Sequence, residues 1–380
     1  MLPISDMTKL SITRASVYSR LLSAFLMVGI LCPTLSSAQQ WTQFAMNRGD
    51  ERGRFLWTDA RNWNHGVPDA KTSAEIGDDN SGKALHCVIP KGTRATCAQF
   101  ELAEHARTQG TTLRLEPGAS LTVLGGAVLS KDRESWFYVD GTFVCQDKRW
   151  GIRVGGPWGR PDIGEPASCH LIIGPEGRVE ASGIGINTSF RSDTTPSAPW
   201  GEKFYARSTD SEITVDGGQL IADQGLKLST TDATRPGALR LKGNASFLSQ
   251  RDSQYGIDVW CGVWEIDGGD VTIKVGDIEF HGDKFKDEVN GRSGKAVGRG
   301  NSVLKLTGTG ISTIHARNLN FVSAALLDVT DLKLRAGTYT VIDGVQIHGD
   351  RLQLAPGSDS KKWSIRFDRD RGDLLLTFSP

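Results

Sequence analysis

The sequence predicts an all-β protein: a single-stranded, right-handed parallel β-helix (β-solenoid) closed by a cap at each end. Three observations predict it. Helical signals are scarce, and short runs of Val, Ile, Leu, Phe and Thr are bounded by Gly, Asp, Asn and Pro, as strands joined by tight turns require. Glycine is frequent, 44 of 380 residues, against about 7% in average proteins. A weak internal repeat also recurs, in which alternating apolar residues lead into a Gly-containing turn and then alternate again.

The repeat reads LRLEPGASLTVLGG from Leu113, LIIGPEGRVEASG from Leu171, ITVDGGQLIADQG from Ile213 and LRLKGNASFLSQ from Leu239. It continues as WEIDGGDVTIKVG from Trp264, LKLTGTGISTIHA from Leu304 and LLDVTDLKLRAG from Leu326. The turn residues Gly118, Gly177, Gly217, Gly243, Gly268 and Gly308 stand roughly 25 to 60 residues apart. The shortest interval suits one coil, and the longer ones suit coils carrying insertions. Alternation buries one face of each strand, and stacked coils share one core while satisfying each other's backbone groups. A β-sandwich would also alternate, but the repetition and the length favour the solenoid. The turns Pro-Glu-Gly, Asp-Gly-Gly and Lys-Gly-Asn are expected to need positive φ.

The elements follow in chain order. Residues 1–38 read as an export signal. Lys9, Arg14 and Arg20 precede an apolar run from Leu21 to Leu31, and Ser36-Ser37-Ala38 offers a cleavage site after Ala38. Cys32 raises the possibility of a lipoprotein, but Leu31 before it is too large for a lipobox. Residues 39–110 form an N-terminal cap region containing WTDARNWNHGVPDA, Trp57 to Ala70. Its Gly66 and Pro68 supply a turn expected to bring Trp57 and Trp63 over the exposed first coil, so a capping role is favoured over sugar binding. Residues 111–325 are the solenoid repeats, and residues 326–380 the final coil and a hairpin cap. Two stretches interrupt the repeats: Lys148 to about Glu212, broken by the strand near Leu171, and His281 to Ser302. Long loops on a rigid scaffold are where function concentrates.

Charge excludes little except a polyanion binder. The chain has 44 basic and 44 acidic residues, with no basic patch for nucleic acid. No run after the signal is apolar enough to span a membrane, so the mature chain is expected to be secreted, at the cell surface or in the periplasm. That compartment permits disulfides. Cys87 and Cys97 flank a Pro90-Lys91-Gly92 turn and are the expected pair, Cys145 with Cys169 is a weaker one, and Cys261 is left free and buried.

Trp57, Asn62, Trp63, Gly66 and Pro68 give a W…NW…G.P element. Near the other end stand AGTYTVIDGVQIHGDRLQL (Ala336 to Leu354) and WSIRFDRDRGDLLLTF (Trp363 to Phe378). Together these resemble the opening and closing elements of secreted bacterial, planctomycete-type β-solenoid surface proteins related to PEP-CTERM and autotransporter-repeat proteins. The chain departs from PEP-CTERM proteins in lacking their sorting segment. The resemblance implies a parallel β-helix with an extracellular role and no established reaction.

Motifs for chemistry are sparse. GDDNSGKA, Gly77 to Ala84, has phosphate-loop spacing but ends in Ala where Ser or Thr would hold magnesium, and reads as a polar turn. FDRDRGD, Phe367 to Asp373, lacks the EF-hand pattern and reads as a hairpin tip. There is no H-E-x-x-H, G-x-S-x-G or paired CxxC, and the histidines are scattered. No metal and no cofactor are expected. The residues expected to contact extracellular polysaccharide are Trp150, Arg153, Trp158, Arg160 and Trp200, with indoles as stacking platforms. The reading is thus a non-catalytic structural or adhesive module. A polysaccharide lyase or glycosidase acting in a lateral groove is the alternative. It would draw on Arg153, Arg160, Asp162, Arg191 and Asp193, or on Asp283, Asp287 and Glu288.

Overall fold

A computed structural model describes residues 40–46, 49–77, 84–103, 110–129, 134–148, 151–155, 168–187, 210–229, 237–249, 256–281, 301–344 and 346–380. The expected parallel β-helix is present. Three sheets of 11 strands each run the length of the molecule, and every third strand in the chain belongs to the same sheet. One coil shows the pattern. Ser135–Val139 lies in the second sheet, Thr142–Cys145 in the third and Ile152–Val154 in the first. The next coil begins at Cys169–Ile173, in parallel register with Ser135–Val139.

Alternation produces this cross-section. Along Ser135–Val139, residues 135, 137 and 139 are buried while Trp136 and Tyr138 face outward. Inward side chains then stack in columns from coil to coil. One column runs Cys87, Leu113, Phe137, Leu171, Ile213, Leu239, Trp264, Leu304 and Leu327. All are at most 1% exposed. Each column member meets its neighbours at the interstrand spacing of about 4.8 Å, so no coil has a core of its own.

Insertions do not disturb this register. Ser302 pairs with Ala325 and Val263 with Val303, although very different lengths of chain intervene. The coil ladder also reaches beyond 111–325: Phe55 pairs in parallel with Cys87, and Leu327 with Leu354. Complete coil strands therefore already lie within the region read from sequence as a cap.

Turn chemistry is partly as expected. Gly118, Gly217, Gly243, Gly268 and Gly308 hold positive φ, but Gly177 does not. Gly177 is required for space instead, since a Cβ there would sit 2.0 Å from the carbonyl oxygen of Val139 on the preceding coil.

The two ends are closed differently. At the N-terminal end the Trp63 ring packs edge-on against Phe44 at 5.0 Å and Trp57 at 4.8 Å. Its Nε1 donates to the Trp57 carbonyl at 2.7 Å. Trp57 and Trp63 are 1% and 4% exposed, and Trp57 leads through Phe100 at 6.3 Å into the coil interior. These rings belong to the core, and neither is available to a sugar. At the C-terminal end Asp373–Phe378 pairs antiparallel with Gly337–Asp343, and Trp363–Asp368 pairs antiparallel outside it. FDRDRGD is the tip of that hairpin, with Asp368 opposite Asp373.

The Cys87–Cys97 pairing is corrected: both are free, buried thiols, as are Cys145, Cys169 and Cys261. The Pro90-Lys91-Gly92 turn makes a corner of the coil, not a hairpin. It sends His86–Ile89 to the second sheet and Arg94–Cys97 to the third. Cys87, Cys97, Cys145 and Cys169 are inward column members, and Cys261 lies buried at a bend between strands. Burial pushes the Cys87 and Cys97 thiols far up and Cys145 up to about 12, so all three are inert as nucleophiles at neutral pH.

Candidate functional site

Segments 78–83, 104–109, 130–133, 156–167, 188–209, 230–236 and 282–300 each follow a strand of the first sheet and precede one of the second. One corner of the coil therefore collects most of the insertions. Trp158, Arg160, Asp162, Arg191, Asp193, Trp200, Asp283, Asp287 and Glu288 belong to these segments and lie outside the described residues, as does Trp150. Arg153 is described, on the outer face of the first sheet. It stands in a column that runs from Glu75 through Glu101 and Val128 and continues through Gly185, Lys227, Asp258, Glu279, Asn320 and His348.

Two Trp–His stacks flank the insertion corner, one on each sheet. On the second sheet Trp136 pairs in register with His170, and their rings stack at 5.3 Å and 14°. His170 Nδ1 lies 3.2 Å from Glu212 Oε1, and Nε2 lies 3.3 Å from Glu134 Oε1. On the first sheet the Trp260 and His281 rings stack at 3.6 Å and 4°. Here one nitrogen faces both carboxylates: His281 Nε2 is 3.4 Å from Asp258 Oδ1 and 3.1 Å from Glu279 Oε2. Asn320, on the next coil, donates to Glu279 Oε1 at 3.1 Å.

The charges respond to these contacts. The hydrogen bond with Glu212 leads in raising His170, against burial, with Glu134 adding to it. For His281 burial is the largest single influence and opposes the charge, but Asp258 and Glu279 together outweigh it and raise the imidazole. Glu212 and Glu279 are correspondingly held below the ordinary carboxylate range, first by their histidine hydrogen bonds.

The signs fix a pH optimum. Raised histidines stabilise the fold below their ordinary value of about 6.5, and that contribution is lost as pH rises through their raised values. Lowered glutamates stabilise above about 4.5, and theirs is lost as pH falls through the lowered values. Both contributions are present between about pH 4.5 and 6.5. Thermal melting is expected to peak in that window and to drop by a few degrees towards pH 8. His170→Asn should flatten the alkaline limb, and an unchanged profile would refute the assignment.

Asp223 is raised by burial and then by Glu180, while Arg178 pairs with Glu180 at 2.7 Å.

Arg153 was the only sequence-chosen contact residue found on the described surface. Trp136, Tyr138, Trp260, Asp258, Glu279 and His281 were not chosen. Their outward alternation is visible in SWFYV, IDVW and DIEFH, but the partners they meet come from other coils. Among the described residues no helix is long and apolar enough to cross a membrane. Comparison with known proteins finds no matching family model, no matching curated protein and no matching solved structure.

Proposed function

We propose that this chain is a secreted or cell-surface β-solenoid module that binds extracellular polysaccharide without cleaving it. The observation that supports this reading is the aromatic platform on the outer face of the second sheet. Trp136 and Tyr138 project from alternate positions of one strand, and the Arg114 guanidinium lies 5.3 Å over the Tyr138 ring. Outward indole and phenol rings offer apolar surface to sugar rings, one face of Trp136 being covered by His170, while Arg114, Glu212 and His170 offer hydrogen-bonding groups to hydroxyls.

The carboxylate geometry favours binding over hydrolysis at these sites. A glycosidase sets its two carboxyl groups about 5–10 Å apart with the scissile bond between them. Asp258 and Glu279 approach more closely than that, their facing oxygens lying within 4.8 Å. Glu134 and Glu212 have the His170 ring filling the space between them. Among the described residues, Asp223, raised by burial and then by Glu180, is the candidate acid for the hydrolase alternative.

A panel of soluble polysaccharides in affinity gels, read for both retention and new reducing ends, tests the reading. The protein should retard in at least one glycan, and Trp136→Ala should weaken retention about tenfold, the equivalent of one lost ring stack. Retention unchanged in Trp136→Ala, or no retention across the panel, would defeat it. Released reducing ends that vanish in Asp223→Asn would replace it with the enzyme.

A further inference from the structure

We propose that Asp258, Glu279 and His281 form a binding site for one divalent transition-metal ion of the zinc class. The fold brings these residues together across two coils. Asp258 lies in Ile257–Trp260 and Glu279 in Asp277–Phe280, and the two are register partners. His281 follows Glu279 by two residues and so shares its outward face.

Three features separate this cluster from an ordinary ion-pair network. First, all three ligand atoms converge. Nε2 stands 3.4 and 3.1 Å from the two oxygens, and the three atoms lie within 4.8 Å of one another. Ligands bonded at about 2.0–2.1 Å to a tetrahedral ion stand roughly 3.3 Å apart. At His170 the carboxylates face opposite ring nitrogens, and no single ion would reach both.

Second, Asp258 is only 5% exposed. Nε2 of His281 faces it at the long distance of 3.4 Å. A buried carboxylate aimed at a second carboxylate is unfavourable unless a proton or a cation lies between them. One Nε2 proton has to serve both.

Third, the donors are fixed from behind. Asn320 holds the far oxygen of Glu279, and the Trp260 ring lies flat on the imidazole. Such outer contacts orient metal ligands and sharpen affinity.

The ligand set selects the ion. Imidazole with two carboxylates suits zinc and its neighbours, whereas calcium and magnesium prefer all-oxygen sites. Two carboxylates neutralise a divalent charge in this largely buried position, with Lys227 as the register neighbour of Asp258 on the preceding coil. Binding requires a lone pair on His281 Nε2, so any proton held there passes to solvent as the ion binds. Three protein ligands leave the fourth position to water. The site is separate from the Trp136 platform, so the inference stands whether or not that platform binds glycan.

The test is calorimetric titration of the untagged chain with Zn²⁺, Ca²⁺ and Mg²⁺, followed by Co²⁺ absorption. One Zn²⁺ per chain is expected, with a rise in melting temperature and no comparable Ca²⁺ or Mg²⁺ binding. His281→Gln and Glu279→Gln should each weaken binding at least tenfold. Affinity should fall as pH drops, because protons compete with the ion for the imidazole and the carboxylates. Co²⁺ should give visible bands of a nitrogen–oxygen tetrahedral site. Glu279, the most exposed of the three, supplies the variant that keeps the test valid if His281→Gln does not fold. No stoichiometric Zn²⁺ binding, equal binding in Glu279→Gln, Ca²⁺ or Mg²⁺ binding as tight as Zn²⁺, or a cobalt–thiolate band from the buried cysteines would each overturn the proposal.

Discussion

Trp63→Ala is expected to destabilise the N-terminal coils by about 3–5 kcal/mol, the usual cost of emptying a buried aromatic site. The ring is 4% exposed, packed between Phe44 and Trp57, and bonded through Nε1 to the Trp57 carbonyl. Its removal opens a cavity against Trp57 and leaves that carbonyl without its donor. Trp57 connects through Phe100 to Phe137 at 6.2 Å, so the loss is transmitted to the first coils. In a stacked array neighbouring coils stabilise each other, and damage at an end propagates inward from that end. Chemical denaturation should show the N-terminal coils unfolding first, followed by the rest at nearly the original midpoint. Trp63→Phe separates the two contributions: it keeps most of the packing and should cost only about 1–2 kcal/mol for the lost hydrogen bond. An unchanged melt in Trp63→Ala, with glycan retention lost, would return the ring to a binding role.

Deletion of residues 359–380 is expected to abolish the soluble monomer. The hairpin covers the last strand of the third sheet by antiparallel pairing, from Gly337 opposite Phe378 to Ile342 opposite Leu374. Its Trp363, Leu374 and Leu376 are 7%, 1% and 0% exposed. Without it, Gly337–Asp343 becomes a free edge with unpaired backbone groups, and Val341 and Ile342, both 0% exposed, lose their cover. Such an edge is a template for pairing with another chain. Size-exclusion chromatography should show dimers and larger species, or material lost to aggregation. A truncated chain that elutes as a stable monomer would mean that the final coil protects its own edge.

The fold was legible because its signal is local. Each strand declares its inward face through alternation, as in SWFYV and CHLII, and stacking follows from the fact that no single coil can bury that face alone. The C-terminal hairpin was legible for a similar reason: two alternating runs flank a polar turn. The Cys87–Cys97 pairing was misread because the sequence shows that a turn is present but not whether it reverses the chain or only bends it. In a hairpin those residues would face each other. At a coil corner they enter different sheets.

The outer-face sites were not legible, for a different physical reason. Their members are distant in the chain and adjacent only through register. His170 and Glu212 are separated by 42 positions, His281 and Asp258 by 23, and insertion length alone makes the difference. Alternation told which side chains of DIEFH point outward but not which neighbours they would meet.

The sequence by itself determined the cross-section of this protein: which residues face the core, where the chain turns, and that both ends need covering. These depend on contacts within a few residues and on the imperative to bury apolar surface. Only the tertiary structure decided the register between coils, and with it the convergence of Asp258, Glu279 and His281 and the stacking of Trp136 on His170. Register is set by backbone pairing and by column packing summed over many coils, and insertions of unequal length erase any trace of it from sequence spacing.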